Sequence, residues 1–327
     1  MKKRFLSMLV LLVAVVSGAW AQEPATYKIT LAEGTEDAEN WTVPAEAAAG
    51  SPVTATYNGT KKVKSVKAVK KGGAVDNTYL KWDADQKKLV ATDIPAEVTT
   101  VENANADVNW AEGTYVVEGE VTISGSITLN GNVDLIIKDD AKLTVIGRIY
   151  GSSDKHNLSI YGQANQTGQL VVNNSGDAIY SITTLEVHSC QVKATASQDN
   201  CCGFYNISTF NVYGGSVDSE NTGTKGGGIW LASNNSSMNI YGGEVKAVGK
   251  GNGNGSYGIM ASSSSSVIVY GGKLWAECAG KKALQANVTL TKGAGFNGKI
   301  ETSDDNSAWT EYTSTGTPET KYVRVGY

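Results

Sequence analysis

Five segments of this chain can be laid on one another, and that self-similarity limits the fold more than any other feature. Leu158-Ser-Ile-Tyr-Gly162, Leu185-Glu-Val-His-Ser189, Phe210-Asn-Val-Tyr-Gly214, Met238-Asn-Ile-Tyr-Gly242 and Val267-Ile-Val-Tyr-Gly271 begin 27, 25, 28 and 29 residues apart. Val288-Thr-Leu-Thr-Lys292 follows 21 residues on as a degenerate sixth copy. Each unit carries two further landmarks. An apolar residue recurs after the glycine pair, at Val192, Val217, Val245 and Leu274. A triplet of small, apolar and large residues comes next: Ala178-Ile179-Tyr180, Gly203-Phe204-Tyr205, Gly228-Ile229-Trp230, Gly258-Ile259-Met260 and Ala283-Leu284-Gln285. One such unit cannot bury its apolar edge alone, but stacked units build a continuous apolar column. Three short strands per repeat therefore predict an all-β, right-handed parallel β-helix with three strands per coil.

The register also predicts its extent. The β-helix is expected over 113–298, with Tyr115-Val116-Val117 through Leu143-Thr144-Val145 forming two earlier coils and an N-terminal cap. Residues 299–327 are expected to cap the last coil, because an open solenoid end invites strand-to-strand aggregation. Insertions fall in turns, at Lys250 to Gly255 and Ser262 to Ser266, where a solenoid tolerates them. Composition agrees: 37 glycines, 5 prolines and abundant Ser, Asn, Val, Ile and Tyr suit short strands joined by tight turns.

Upstream, Lys2, Lys3 and Arg4, the apolar run Leu9 to Val16 and the site Ala19-Trp20-Ala21 form a signal-peptide pattern over 1–21. Its apolar core is too short to span a bilayer, and no later segment is apolar enough to do so as a helix. An exported protein, in the periplasm, at the cell surface or outside the cell, is expected. Residues 22–72 read as a small β domain whose Lys61–Lys71 stretch is a lysine-fringed edge strand or a helix. Residues 73–112 read as a connecting hairpin, with Tyr79–Trp82 and Lys88–Ala91 around Asp83–Gln86, and a polar linker at Asn103–Asp107.

Thr35-Glu36-Asp37-Ala38, Trp41-Thr42, Ala55-Thr56-Tyr57 and Lys61-Lys62-Val63-Lys64-Ser65-Val66 resemble a small β-repeat module found on exported proteins of gut anaerobes. Gly113 to Val145 and the Ile-Tyr-Gly-Gly coils resemble secreted parallel β-helix proteins labelled carbohydrate-binding-domain-like. The resemblance implies fold strongly and function weakly, and it brings no catalytic residues with it, so function is argued from the site.

Several chemistries are poorly served. Removal of Lys2, Lys3 and Arg4 takes the net charge from −4 to −7, which does not suit nucleic acid. Four cysteines without a CxxC pair and two histidines, His156 and His188, make a poor zinc set. An oxidising compartment permits a disulfide between Cys190 and Cys201 or Cys202, whereas Cys278 lies three coils away and is expected to stay unpaired. The glycine runs at 226–228 and 251–255 precede no helix, so no phosphate loop forms. No cofactor is expected.

The serious enzymatic alternative is a polysaccharide lyase or glycoside hydrolase. Asp139 and Asp140 are adjacent and expected to be turn residues, and the other carboxylates do not stack into the pair that hydrolysis needs. Arg148 with Asp154-Lys155-His156 is the best acid–base group available, but it reads first as a polar turn between Ile149-Tyr150 and Leu158. No catalytic residue is assigned.

Side-chain alternation points instead to a binding surface. With Ile179, Phe204, Ile229, Ile259 and Leu284 inward, Tyr180, Tyr205, Trp230, Met260 and Gln285 face outward at strand spacing. Tyr161, His188, Tyr213, Tyr241 and Tyr270 make a second outward row. Exposed aromatic rows invite a partner, and the coil spacing is close to one sugar residue. The candidate ligand-binding residues are Tyr180, Tyr205, Trp230, Tyr213, Tyr241 and Tyr270. Such rows also stack on themselves, stabilise coils and lie under loops. The expectation is an exported non-catalytic binding protein for a glycan, or else an adhesin or structural protein with a host or bacterial surface protein as partner.

Overall fold

The computed structural model describes residues 26–28, 40–44, 46–48, 55–60, 77–152, 156–233, 235–253, 255–280, 282–314 and 316–327. The signal-peptide pattern, the Lys61–Lys71 stretch and the pair Asp154 and Lys155 lie outside them. The chain divides into two compact units, Met1–Asp76 and Asn77–Tyr327. In the first, Thr26–Lys28 pairs antiparallel with Glu46–Ala48, and Trp41–Thr42 with Thr56–Tyr57. The Trp41 and Tyr57 rings lie 5.0 Å apart.

The second unit is a parallel β-solenoid of about 7 turns, and no α-helix occurs among the described residues. Each turn passes over three faces, in chain order a tyrosine face, a valine face and a tryptophan face. On the tyrosine face Leu158 pairs with Leu185, Leu185 with Phe210, Phe210 with Met238 and Met238 with Val267. On the valine face Val192, Val217, Val245 and Leu274 follow one another in register. On the tryptophan face Ile179, Phe204, Ile229, Ile259 and Leu284 do the same. These side chains are buried and merge into one core, with Phe204 and Phe210 packed at 5.1 Å in its middle.

The corner between tryptophan and tyrosine faces is made by Ser181 and Asn206, both at φ 56°. A short polar side chain tolerates that left-handed backbone, so the strands Ile179–Val187 and Cys201–Val212 bend there without ending.

One expected boundary and one expected register shift. The first coil starts before 113, because Thr99–Thr100 pairs with Tyr115–Val116, Ala104 bridges Ile123, and Val108–Trp110 pairs with Ile127–Leu129. The polar stretch 103–107 is part of that coil. Asn103 Oδ1 accepts from Thr122 N and Asp107 Oδ1 from Ser126 N, each at 2.7 Å, so polar residues serve the ladder as acceptors. In the last copy Val288 pairs with Ser265 and Leu290 with Val267. That two-residue slip from the expected register leaves inward and outward parity unchanged.

The Tyr322–Val325 strand then lies antiparallel on Lys273–Cys278, and Val323 and Val325 extend the core. The hairpin Thr78–Asp83 with Lys88–Asp93 belongs to neither large sheet. It packs on the outside of the tyrosine face.

Candidate functional site

The tyrosine row forms as a ladder. Tyr161, His188, Tyr213, Tyr241 and Tyr270 stack at centroid distances of 4.4, 4.8, 5.1 and 4.8 Å, with interplanar angles from 5° to 27°. The hairpin covers its N-terminal half. Tyr79 meets Tyr161 edge-on at 4.7 Å, and Trp82 stacks on Tyr213 at 5.1 Å and leans on Tyr241 at 5.6 Å. The Leu80 amide donates to the Gly162 carbonyl (2.9 Å), Gln163 Nε2 donates to the Thr78 carbonyl (3.0 Å), and the Trp82 amide donates to His188 Nδ1 (3.0 Å). Tyr161 and His188 are left 3% and 2% exposed, while Tyr270 at the far end is 38% exposed. The hairpin covers part of the expected platform. Tyr213 lies beneath Trp82, and ring faces along the row are spent on neighbouring rings.

A carboxylate backs this ladder. Glu186 accepts from Tyr213 Oη (3.1 Å) and Asn211 Nδ2 (3.3 Å), and His188 Nε2 is 3.5 Å from its Oε2. The His188 ring beside it, reinforced by those two donors, holds the carboxyl down at about 2 against the opposing effect of burial. Burial pushes His188 itself below its ordinary value. The arrangement locks the hairpin to the solenoid.

The second row is more open. Tyr150 pairs with Tyr180, Tyr180 with Tyr205, and Tyr205 with Trp230, and all four are half-buried. Tyr150 and Tyr180 are parallel at 5.2 Å and 6°, whereas Tyr205 and Trp230 are tilted by 54° at 4.9 Å. Trp230 Nε1 donates to Ser262 Oγ at 3.0 Å, which fixes the indole. Arg148 is exposed, with its guanidinium carbon 5.0 Å from the Tyr150 centroid and 5.5 Å from that of Tyr180. Beside it Asp177 accepts from the Cys202 amide at 2.8 Å, and burial pushes its carboxyl above the usual range.

This row departs from expectation at both ends. Met260 is buried, 8% exposed, because its side chain folds over Gly227, where no Cβ stands in the way. Gln285 turns its Oε1 back to the Ala261 amide. At the other end Tyr150 and Arg148 join the row unforeseen. The signal was present in Arg148-Ile149-Tyr150, which matches the apolar–large part of the triplet but lacks its leading small residue.

A third aromatic group also went unforeseen. Trp275 is ringed by Trp309, Tyr322 and Tyr327 at 5.4, 6.1 and 5.9 Å. Arg324 sits 4.0 Å over Trp309 and donates to Glu301 at 2.8 Å, and Tyr327 Oη donates to Glu244 at 2.7 Å. Trp275 stands beside the repeat landmark Leu274, but Trp309, Tyr322 and Tyr327 come from segments without repeat spacing, so no periodicity links them to it. Their contacts are spent on pinning the terminal strand to the last coil.

The remaining candidates are placed as follows. Asp139 accepts from Asn165 and Thr167 of the next coil, and Asp140 is a turn residue at φ 62°. His156 has its Nε2 3.0 Å from Ser152 Oγ and starts a tyrosine-face strand, away from the Arg148 row. All four cysteines are free thiols, and burial pushes Cys190 up to about 12. Among the described residues no three of His, Cys, Asp or Glu gather to hold a metal ion. Concavities of about 340 and 330 Å³ lie at the first coil, lined by Trp110 and Tyr115, and beside Ser256 and Tyr257.

Comparison with family models, curated proteins and solved structures finds no match to this chain.

Proposed function

We propose that this chain is an exported, non-catalytic binding protein that lays an extended glycan along the Tyr150–Tyr180–Tyr205–Trp230 row. The observation that carries the reading is the row itself. Four half-exposed rings stand at successive coils, spaced by the strand separation of about 4.8 Å, without the hairpin that covers the other row. A large flat apolar ring with a polar edge suits a sugar, whose ring carries axial C–H bonds and a rim of hydroxyls. The tilt between Tyr205 and Trp230 leaves ring surface that the parallel tyrosine ladder does not offer. The resemblance of the coils to secreted carbohydrate-binding-domain-like β-helix proteins of gut anaerobes supports the same reading, as does the signal-peptide pattern.

A glycan array probed with the full chain, run beside a turnover assay on the same polysaccharides, tests this. The expected result is retention of one glycan class without release of reducing ends or unsaturated products. Turnover would replace the reading with an enzyme. Retention of a surface protein but no glycan would replace it with an adhesin.

A further inference from the structure

We propose that the glycan taken by this row is anionic, with Arg148 receiving a carboxylate or sulfate group on a sugar at the Tyr150 end. The inference rests on the glycan reading above and deepens it. Only Arg4, Arg148 and Arg324 occur in the chain, and Arg148 alone lies within the coils. Its guanidinium is held over two parallel tyrosine rings. Among the described residues it has no hydrogen-bonding partner and no ion-pair partner, in contrast to Arg324, which is bound to Glu301 and roofed by Trp309.

A planar guanidinium presents five donors in a fork that matches a carboxylate or sulfate two bonds at a time. Holding that fork against rings removes rotamer freedom before a ligand arrives, so less is lost on binding. Asp177, the acid on which the Arg148 charge acts, is half-buried and has one oxygen committed to the Cys202 amide. The cation stands at the head of the row, and the rings continue from it along the axis. Such a surface reads one charged sugar and stacks those that follow.

The test uses the full chain and four probes of matched length: an oligouronate, its fully methyl-esterified form, a sulfated oligosaccharide and the neutral backbone. Binding is measured by calorimetry at two salt concentrations. At least tenfold tighter binding of an acidic probe is expected, with the carboxylate and sulfate arms deciding which group is taken. Arg148→Gln should remove most of that preference, lowering affinity for the acidic probe far more than affinity for the ester. Arg148→Lys should restore only part, because a point charge cannot form the fork. Added salt should weaken the acidic probe alone.

Equal loss on acidic and neutral probes in Arg148→Gln, or no loss on either, overturns the inference. Binding of neutral probes only overturns it while leaving the glycan platform standing. Failure of every probe overturns both. Melting of each variant shows that the coils remain intact, since Arg148 is exposed and carries no core packing.

Discussion

At the residue scale, the fate of each outward ring is set by what stacks above it. A stack at 4.4–5.1 Å uses both faces of an internal ring, so His188 and Tyr213 stabilise the molecule in place of meeting a ligand, and Tyr161 at the end of the stack is covered by Tyr79. His188 adds a titration to that role. Its Nδ1 accepts the Trp82 amide, so the ring must be neutral there, and a proton on Nδ1 would set donor against donor. The charges that bear on it are Glu186 beside it in sequence, Asp134 two coils before and Lys81 on the hairpin. Burial outweighs the two carboxylates, and the folded value falls below the ordinary one of about 6.5. Its contribution to stability is thus whole above about pH 6.5 and is drawn down below it, because the unfolded chain takes up the proton that the folded one resists. Glu186 acts in a lower window: its contribution is whole above 4.5 and is lost as the pH falls towards about 2. Amide exchange at Leu80 and Trp82, corrected for the intrinsic rate, checks this. Protection should fall between pH 7.5 and 5 in the parent chain, and His188→Phe should lose that pH dependence. Protection that stays constant with pH in the parent chain would contradict the clamp.

At the scale of the element, the tyrosine-to-valine corner explains the glycines of the repeated motif. Gly215, Gly243 and Gly272 have φ of 67°, 71° and 72°. A Cβ on Gly243 would stand 2.5 Å from the Gly215 carbonyl oxygen, and one on Gly272 would stand 2.4 Å from that of Gly243. The backbones of successive coils therefore touch at this corner. Gly119 occupies the same corner in an early coil at φ 66°, with nothing within 4 Å of its Cβ position. Gly119→Ala should cost only the left-handed strain, about 1–2 kcal/mol. Gly243→Ala should cost more, because a backbone carbonyl cannot step aside. Thermal unfolding of the two variants checks this, and equal costs would contradict the contact. These glycines also mark what was legible beforehand. Repeats with fixed turn chemistry give register, and so the three apolar columns were readable residue by residue. Coverage was not, since the hairpin meets Tyr161 and Tyr213 across more than 75 residues and pairing of that range leaves no local pattern. Tyr150 escaped because its triplet lacks the small leading residue, and the Trp275 cluster because Trp309, Tyr322 and Tyr327 lie in non-repeating segments.

At the scale of the whole solenoid, each coil touches only its neighbours, so surface rows run the length of the stack while one core holds them in register. Inward and outward residues then have separable roles, and one pair of neighbours displays the separation. Phe204 is fully buried against Phe210, and Tyr205, one residue on, is half-buried on the outer row. Phe204→Ala should cost about 3–5 kcal/mol of stability through the cavity it leaves. Tyr205→Ala should leave the melting temperature close to that of the parent. The most direct measurement is a calorimetric titration of Tyr205→Ala with the glycan retained by the parent chain. The account predicts binding weaker by about 1–2 kcal/mol, the usual weight of an aromatic anchor, with the fold unchanged. Binding as tight as that of the parent, from a variant equally well folded, would contradict it.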